Sequence, residues 1–138
     1  MKAWGNEFLS LHEGLRFQIV STNPNPDYNL IPIQHYLYCP PPNGSYRAFQ
    51  YAYFMNYLSA KEFYYKTSLD WYFRTTYDCY VHLPHLNKLI QSLNSKYNPK
   101  TDLVMKGDHQ KDFIHGGPGW IMSRALVKLY LDFEQTSN

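Results

Sequence analysis

The stretch Trp71-Tyr72-Phe73-Arg74-Thr75-Thr76-Tyr77-Asp78-Cys79-Tyr80-Val81 decides how the rest of the chain reads. Its aromatic and β-branched residues favour a buried strand, and Asp78 interrupts them where a strand would leave the core. A carboxylate at the C-terminal edge of a strand in an open α/β sheet stands where such sheets bind ligands. Asp is equally the residue type that caps a turn into a following helix. Both readings stand on this stretch alone.

Downstream, Leu83, Leu86, Ile90, Leu93 and Tyr97 step by three and four, with Asn87, Lys88, Gln91 and Lys96 on the other side. That spacing predicts an amphipathic helix, with Pro84 in its first turn and Asn98-Pro99 as its stop. Thr101 to Met105 reads as a short strand and Lys106 to Asp112 as a polar loop. After Phe113 to Met122, Ser123 is placed to cap a final helix with Leu126, Leu129, Tyr130 and Phe133 on one face. Upstream, Ser45 is placed to cap a helix from about Tyr46 to Tyr64, apolar nearly all round and therefore expected between other elements. Leu15 to Val20 alternates apolar and polar residues, the pattern of a half-buried strand. Ser21 to Asn29, with Pro24 and Pro26, reads as a loop, and Ile31 to Tyr38 is ambiguous because Pro32 breaks it. Strand and helix signals alternate, which predicts an α/β fold with a mainly parallel sheet.

At 138 residues the chain is one domain, residues 1–138, with a net charge of +2 and a pI near 8.4. No dense basic face occurs, so nucleic acid is excluded as a partner class. No run approaches the roughly 20 apolar residues of a membrane span, and the first ten residues have no signal-peptide pattern. Fourteen tyrosines raise the aromatic content to 18%, which suits stacking surfaces and buried strands alike. Cys39 and Cys79 make neither a disulfide framework nor a metal site, though they are able to pair in an oxidising compartment. Asn43-Gly44-Ser45 is a glycosylation sequon only for a lumenal chain.

His115-Gly116-Gly117-Pro118-Gly119-Trp120 is the second notable stretch. Glycines around a proline allow positive φ and close backbone approach, and an exposed indole beside them would stack on a ligand; a tight turn with Trp120 buried is the other reading. Asp108, His109, Asp112 and His115 match no zinc spacing and read as a solvated loop. Neither a phosphate loop nor a nucleophile elbow occurs, so nucleophilic hydrolysis is not supported.

Taken in order, the two stretches resemble the Fringe-like and core 1 β-1,3-galactosyltransferase-like family of glycosyltransferases. Trp71, Arg74, Asp78, Tyr80, Val81, Leu83 and Leu86 match its acidic-motif block; Gly116, Gly117, Gly119, Trp120, Ser123 and Arg124 match its Gly-Gly-x-Gly-aromatic block, and Trp4-Gly5 matches the end of its first helix. The resemblance implies a GT-A fold and transfer of a hexose, of galactose or N-acetylglucosamine type, from a UDP-sugar to a glycan or glycoprotein acceptor in β-1,3 linkage. It implies a manganese ion on the donor diphosphate, with Asp78 as metal ligand and Arg74, Thr76, Tyr77 and Asp78 at the donor. His115, Gly116, Gly117, Gly119 and Trp120 are then expected beside donor and acceptor sugars, in a Golgi or secretory lumen. Thr76 and Tyr77 stand where the family has acidic residues, and no match to its first strand or its later Glu-Asp block occurs. The expectation is therefore a domain truncated at both ends, without an assigned catalytic base. A second reading follows from those departures: an inactive homologue or fragment that binds a glycan or a partner.

Overall fold

A computed structural model describes residues 18–21, 35–38, 48–76, 79–110 and 113–136. The fold is mixed α/β. Strands β1 (Gln18–Ser21) and β2 (His35–Tyr38) form a parallel pair. Helix α1 (Ala48–Lys66) leads to β3 (Trp71–Arg74), helix α2 (Leu83–Lys96), β4 (Met105–Gln110), β5 (Phe113–Ser123) and helix α3 (Arg124–Thr136).

The three later strands make one sheet in the order β3-β5-β4, with both pairings antiparallel. This corrects the expectation of a mainly parallel sheet. β3 and β4 each run against β5, so they run parallel to one another, as a strand–helix–strand unit through α2 should. β5 follows β4 through residues 111–112, too short a connection for a crossover, and inserts antiparallel between the two. Parallel neighbours are thereby separated.

Side chains alternate across the sheet, and each face has its own helical cover. Tyr72 and its cross-strand partner Met122 join Ala60 and Phe63 of α1 and Val127 and Leu131 of α3 in one buried cluster. Their neighbours Phe73 and Ile121, also paired, pack with Leu93 and Ile90 of α2 and with Val104. Covered on both faces, β3 has no need to alternate, which explains its unbroken aromatic run.

Two boundaries differ from the sequence reading. Residues 99–102 form a turn in place of a strand, with the Asn98 carbonyl accepting from Thr101 and Asp102. The supposed polar loop of Lys106 to Asp112 is largely strand β4, which among the described residues pairs on one side only; Lys106, Asp108 and His109 are exposed, so composition concealed the strand. On α3 the buried positions are Val127 and Leu131, with Leu126 and Tyr130 packed beside them, while Leu129 and Phe133 stand exposed.

Ser123 caps α3 as its position predicted. Its buried hydroxyl accepts from Leu126 N at 3.3 Å and from Val104 N at 3.1 Å, and donates to Asp102 O at 2.7 Å. The Arg124 guanidinium donates to Tyr64 O at 2.7 Å and Leu69 O at 3.0 Å, tying α3 to the end of α1. Between α1 and β3, the Tyr72 hydroxyl bonds Ser59 and donates to Asn56 Oδ1 at 3.2 Å. Burial pushes the Tyr72 phenol above its ordinary value, against smaller opposing effects of the Ser59 bond and the Arg74 charge.

Candidate functional site

The two notable stretches meet at one corner of the sheet. Arg74, the last residue of β3, is the cross-strand partner of Trp120 on β5. Directly opposed side chains share a face, and the Arg74 guanidinium carbon lies 4.8 Å from the Trp120 ring centroid, over its face. Among the described residues the Arg74 guanidinium makes no ion pair and no side-chain hydrogen bond.

Gly119 explains how the strands come so close there. Its φ is +96°, a region open to glycine, and a Cβ on it would lie 2.5 Å from Arg74 O and 3.2 Å from Thr75 Cβ. On its other side β5 breaks register with β4: Trp120 faces Gly107, yet His115 faces Asp108, the very next residue. The stretch Gly116 to Gly119 therefore has no counterpart on β4. It is an excursion of β5, an extreme case of the bulges that re-aim strands near functional sites.

Two polar groups at this corner are buried without a partner among the described residues, the Thr75 hydroxyl and the Trp120 indole N–H. Each costs about 1–3 kcal/mol unless something else satisfies it. Cys79 N donates to Thr76 O at 3.2 Å, and Thr76 Oγ1 lies 3.3 Å from Cys79 Sγ. Helix α2 then begins after His82, whose Nδ1 accepts from His85 N at 3.3 Å as its cap.

Among the sequence-predicted site residues, Arg74, Gly119 and Trp120 are brought together, and Thr76 lies two residues beyond Arg74. His115, Gly116 and Gly117 are placed by backbone alone, on the same strand at the near end of the excursion. Tyr77 and Asp78 lie outside the described residues, as does Cys39, so neither the metal-ligand assignment nor a Cys39–Cys79 pairing is described. Trp120 falls between the two readings of its stretch, exposed platform and buried turn residue: it is half-buried against the α1–α3 cluster, with Arg74 over its ring. Asp108 and His109, read as loop residues, are exposed positions on β4. Sequence reasoning missed Thr75 and Gly107. A β-branched residue at a strand end and a glycine in a polar run carry no distinguishing signal.

A hard dication such as manganese asks for oxygen ligands, carboxylates above all. The described donors at the end of β3 are the Thr75 and Thr76 hydroxyls and the Cys79 sulfur, none of them a carboxylate and one soft. Among the described residues no three His, Cys, Asp or Glu side chains gather to hold a metal. These donors do not fit manganese by themselves. No helix among the described residues is long and apolar enough to cross a membrane. What the corner offers is a cation over an indole, strand backbone at close quarters and two unsatisfied polar groups, a set suited to binding an anion with an adjoining flat or hydroxylated part. No family model matches this chain, and no curated protein or solved structure is significantly similar to it.

Proposed function

We propose that the chain is a glycosyltransferase-like domain of the Fringe-like, core 1 β-1,3-galactosyltransferase-like kind, binding a UDP-hexose donor at the Arg74–Trp120 corner. The observation that carries this reading is the juxtaposition itself. The two blocks on which the resemblance rests are far apart in sequence, and they adjoin through Arg74, Thr75, Gly119 and Trp120. A GT-A-like architecture belongs to the same proposal and is supported by parallel β3 and β4 joined through α2.

In this reading the Arg74 guanidinium binds the donor diphosphate, a bidentate contact it is shaped for. Inverting transfer follows when a base takes the proton of an acceptor hydroxyl, the freed oxygen attacks the anomeric carbon and the bond to UDP breaks. The acceptor is a glycan or glycoprotein, the new linkage β-1,3, and the setting a Golgi or secretory lumen. Manganese enters the proposal through Asp78 alone; bound there, it would neutralise the leaving diphosphate.

One observation favours the second reading, a homologue that binds a glycan or partner without transfer. Thr76, at a position acidic in the family, turns its hydroxyl to Cys79. Calorimetric titration of UDP with and without manganese, on wild type, Asp78→Ala and Arg74→Ala, tests the proposal. Expected are manganese-dependent binding in wild type, loss of that dependence in Asp78→Ala, and about tenfold weaker binding in Arg74→Ala, the equivalent of about 1.4 kcal/mol. Absence of UDP binding in wild type would sink it. Binding without release of UDP from UDP-galactose or UDP-N-acetylglucosamine, acceptor present, selects the second reading.

A further inference from the structure

We propose that Gly107, on the edge strand, is a positioning residue: its missing side chain sets Trp120 where Arg74 covers its ring. Trp120 has two cross-strand partners, Arg74 on β3 and Gly107 on β4. A Cβ at position 107 would lie 2.5 Å from Ile114 Cγ2, 3.2 Å from Gly119 O and 3.3 Å from Trp120 Cβ. All three atoms belong to β5, one before the Gly116–Gly119 excursion and two at its far end. Gly107 is thus the point where both limbs of the excursion close on β4.

Space, and not backbone conformation, is what this position requires. The φ of Gly107 lies outside the left-handed region, in contrast to that of Gly119. Nor can the neighbours yield easily. Ile114 is β-branched, with few χ1 states available to move Cγ2. Gly119 O moves only with its backbone, which is already held against Arg74 O and Thr75 on the other side. A methyl group at 107 therefore pushes the Gly119–Trp120 limb, and the displacement passes to the contact between Trp120 and Arg74. Packed structures respond to such volume by shifting and not by compressing.

The test follows the Arg74 side-chain protons by NMR, since a ring lying over a guanidinium shifts them upfield. The Val127 and Leu131 methyl resonances serve as a separate report on the core. In Gly107→Ala the upfield shift is expected to be lost while the core resonances hold. In Gly107→Ala/Ile114→Ala, with the nearest obstructing atom removed, the shift is expected to return. A shift retained in Gly107→Ala, or one absent from both variants, overturns the proposal. Should Gly107→Ala not fold, a folded double variant with the shift supports it and an unfolded double variant refutes it. The bearing on ligand binding rests on the function proposed above and is read separately: manganese–UDP affinity about tenfold lower in Gly107→Ala and recovered in the double variant. If wild type binds no UDP, that function fails, and the ring-current result still decides the role of Gly107.

Discussion

Replacing Gly119 by alanine should remove a large share of the stability of this domain, and the structure supplies the size. Two costs apply. At φ +96° an alanine leaves the regions open to L-residues, a strain of about 1–3 kcal/mol. Its Cβ would also meet Arg74 O at 2.5 Å, and backbone on a central sheet pairing cannot swing aside as a side-chain tip can. Overpacking of that kind typically costs another 1–3 kcal/mol. Together they come to about 2–6 kcal/mol, against roughly 5–15 kcal/mol for a whole domain. Urea unfolding followed by far-UV circular dichroism is the assay. With a slope of about 2 kcal/mol per molar, the midpoint should fall by about 1–3 M with the slope unchanged. A loss under about 1 kcal/mol would refute both the left-handed backbone and the contact with Arg74.

Ser123→Ala removes three hydrogen bonds of a fully buried hydroxyl and leaves Val104 N and Asp102 O unpaired, so about 2–4 kcal/mol should be lost in the same assay. Tyr72→Phe removes the bonds to Ser59 and to Asn56 Oδ1, though Ser59 still donates to Asn56 O at 3.1 Å, and should cost about 1–2 kcal/mol at pH 7. Because the folded state holds the Tyr72 proton more tightly than the unfolded chain does, its contribution is complete below about pH 10 and declines above it. The gap between wild type and Tyr72→Phe should therefore narrow as pH rises past about 10 in parallel unfolding curves. Arg124→Lys keeps the charge but loses the fork that reaches Tyr64 O and Leu69 O, for a loss of about 1.5–3 kcal/mol. Thr75→Val replaces a buried, unpartnered hydroxyl by a methyl group and should stabilise the protein by about 0.5–1.5 kcal/mol, seen as a raised thermal midpoint.

Helix periodicity carried most of what was legible. α1 and α2 lie where spacing placed them, and the capping role of Ser123 followed from its position before an apolar run. Failures came where solvent or a neighbouring strand, and not the local pattern, sets the structure. β4 is the edge strand of the described sheet, so Lys106, Asp108 and His109 can be polar without ceasing to be strand. The placement of β5 between two parallel strands depends on a short connection and on the aromatic face of β3, neither of which the alternation of strand and helix signals records. On α3, Leu129 and Phe133 belong to the apolar stripe in sequence but face away from the sheet, because Val127 and Leu131 fix the rotation of the helix. At the site, the Gly-Gly-Pro-Gly-Trp block marked itself through glycine content, whereas Gly107 and Thr75 matter only through what lies across from them.

The location of the site does not depend on the resemblance. Along most of the sheet each residue satisfies the ordinary rules: aromatic beside aliphatic across strands, helices over both faces, a buried serine with every hydrogen bond made. At the Arg74–Trp120 corner several rules are broken within a few residues. A backbone angle is left-handed, register slips, a hydroxyl and an indole N–H are buried without a partner among the described residues, and a guanidinium lies over a ring. A corner that served stability alone would be improved by simple changes such as Thr75→Val, so its present form argues for something bound there. Local violations gathered at one place are what a functional site looks like in a chain otherwise consistent with its fold. The two lines of inference are separable by experiment. If Thr75→Val and Trp120→Phe both raise stability while both weaken UDP binding, the unsatisfied groups are held for a ligand. If they raise stability and UDP affinity is unchanged, the corner serves a different anion, and the resemblance has named the wrong one.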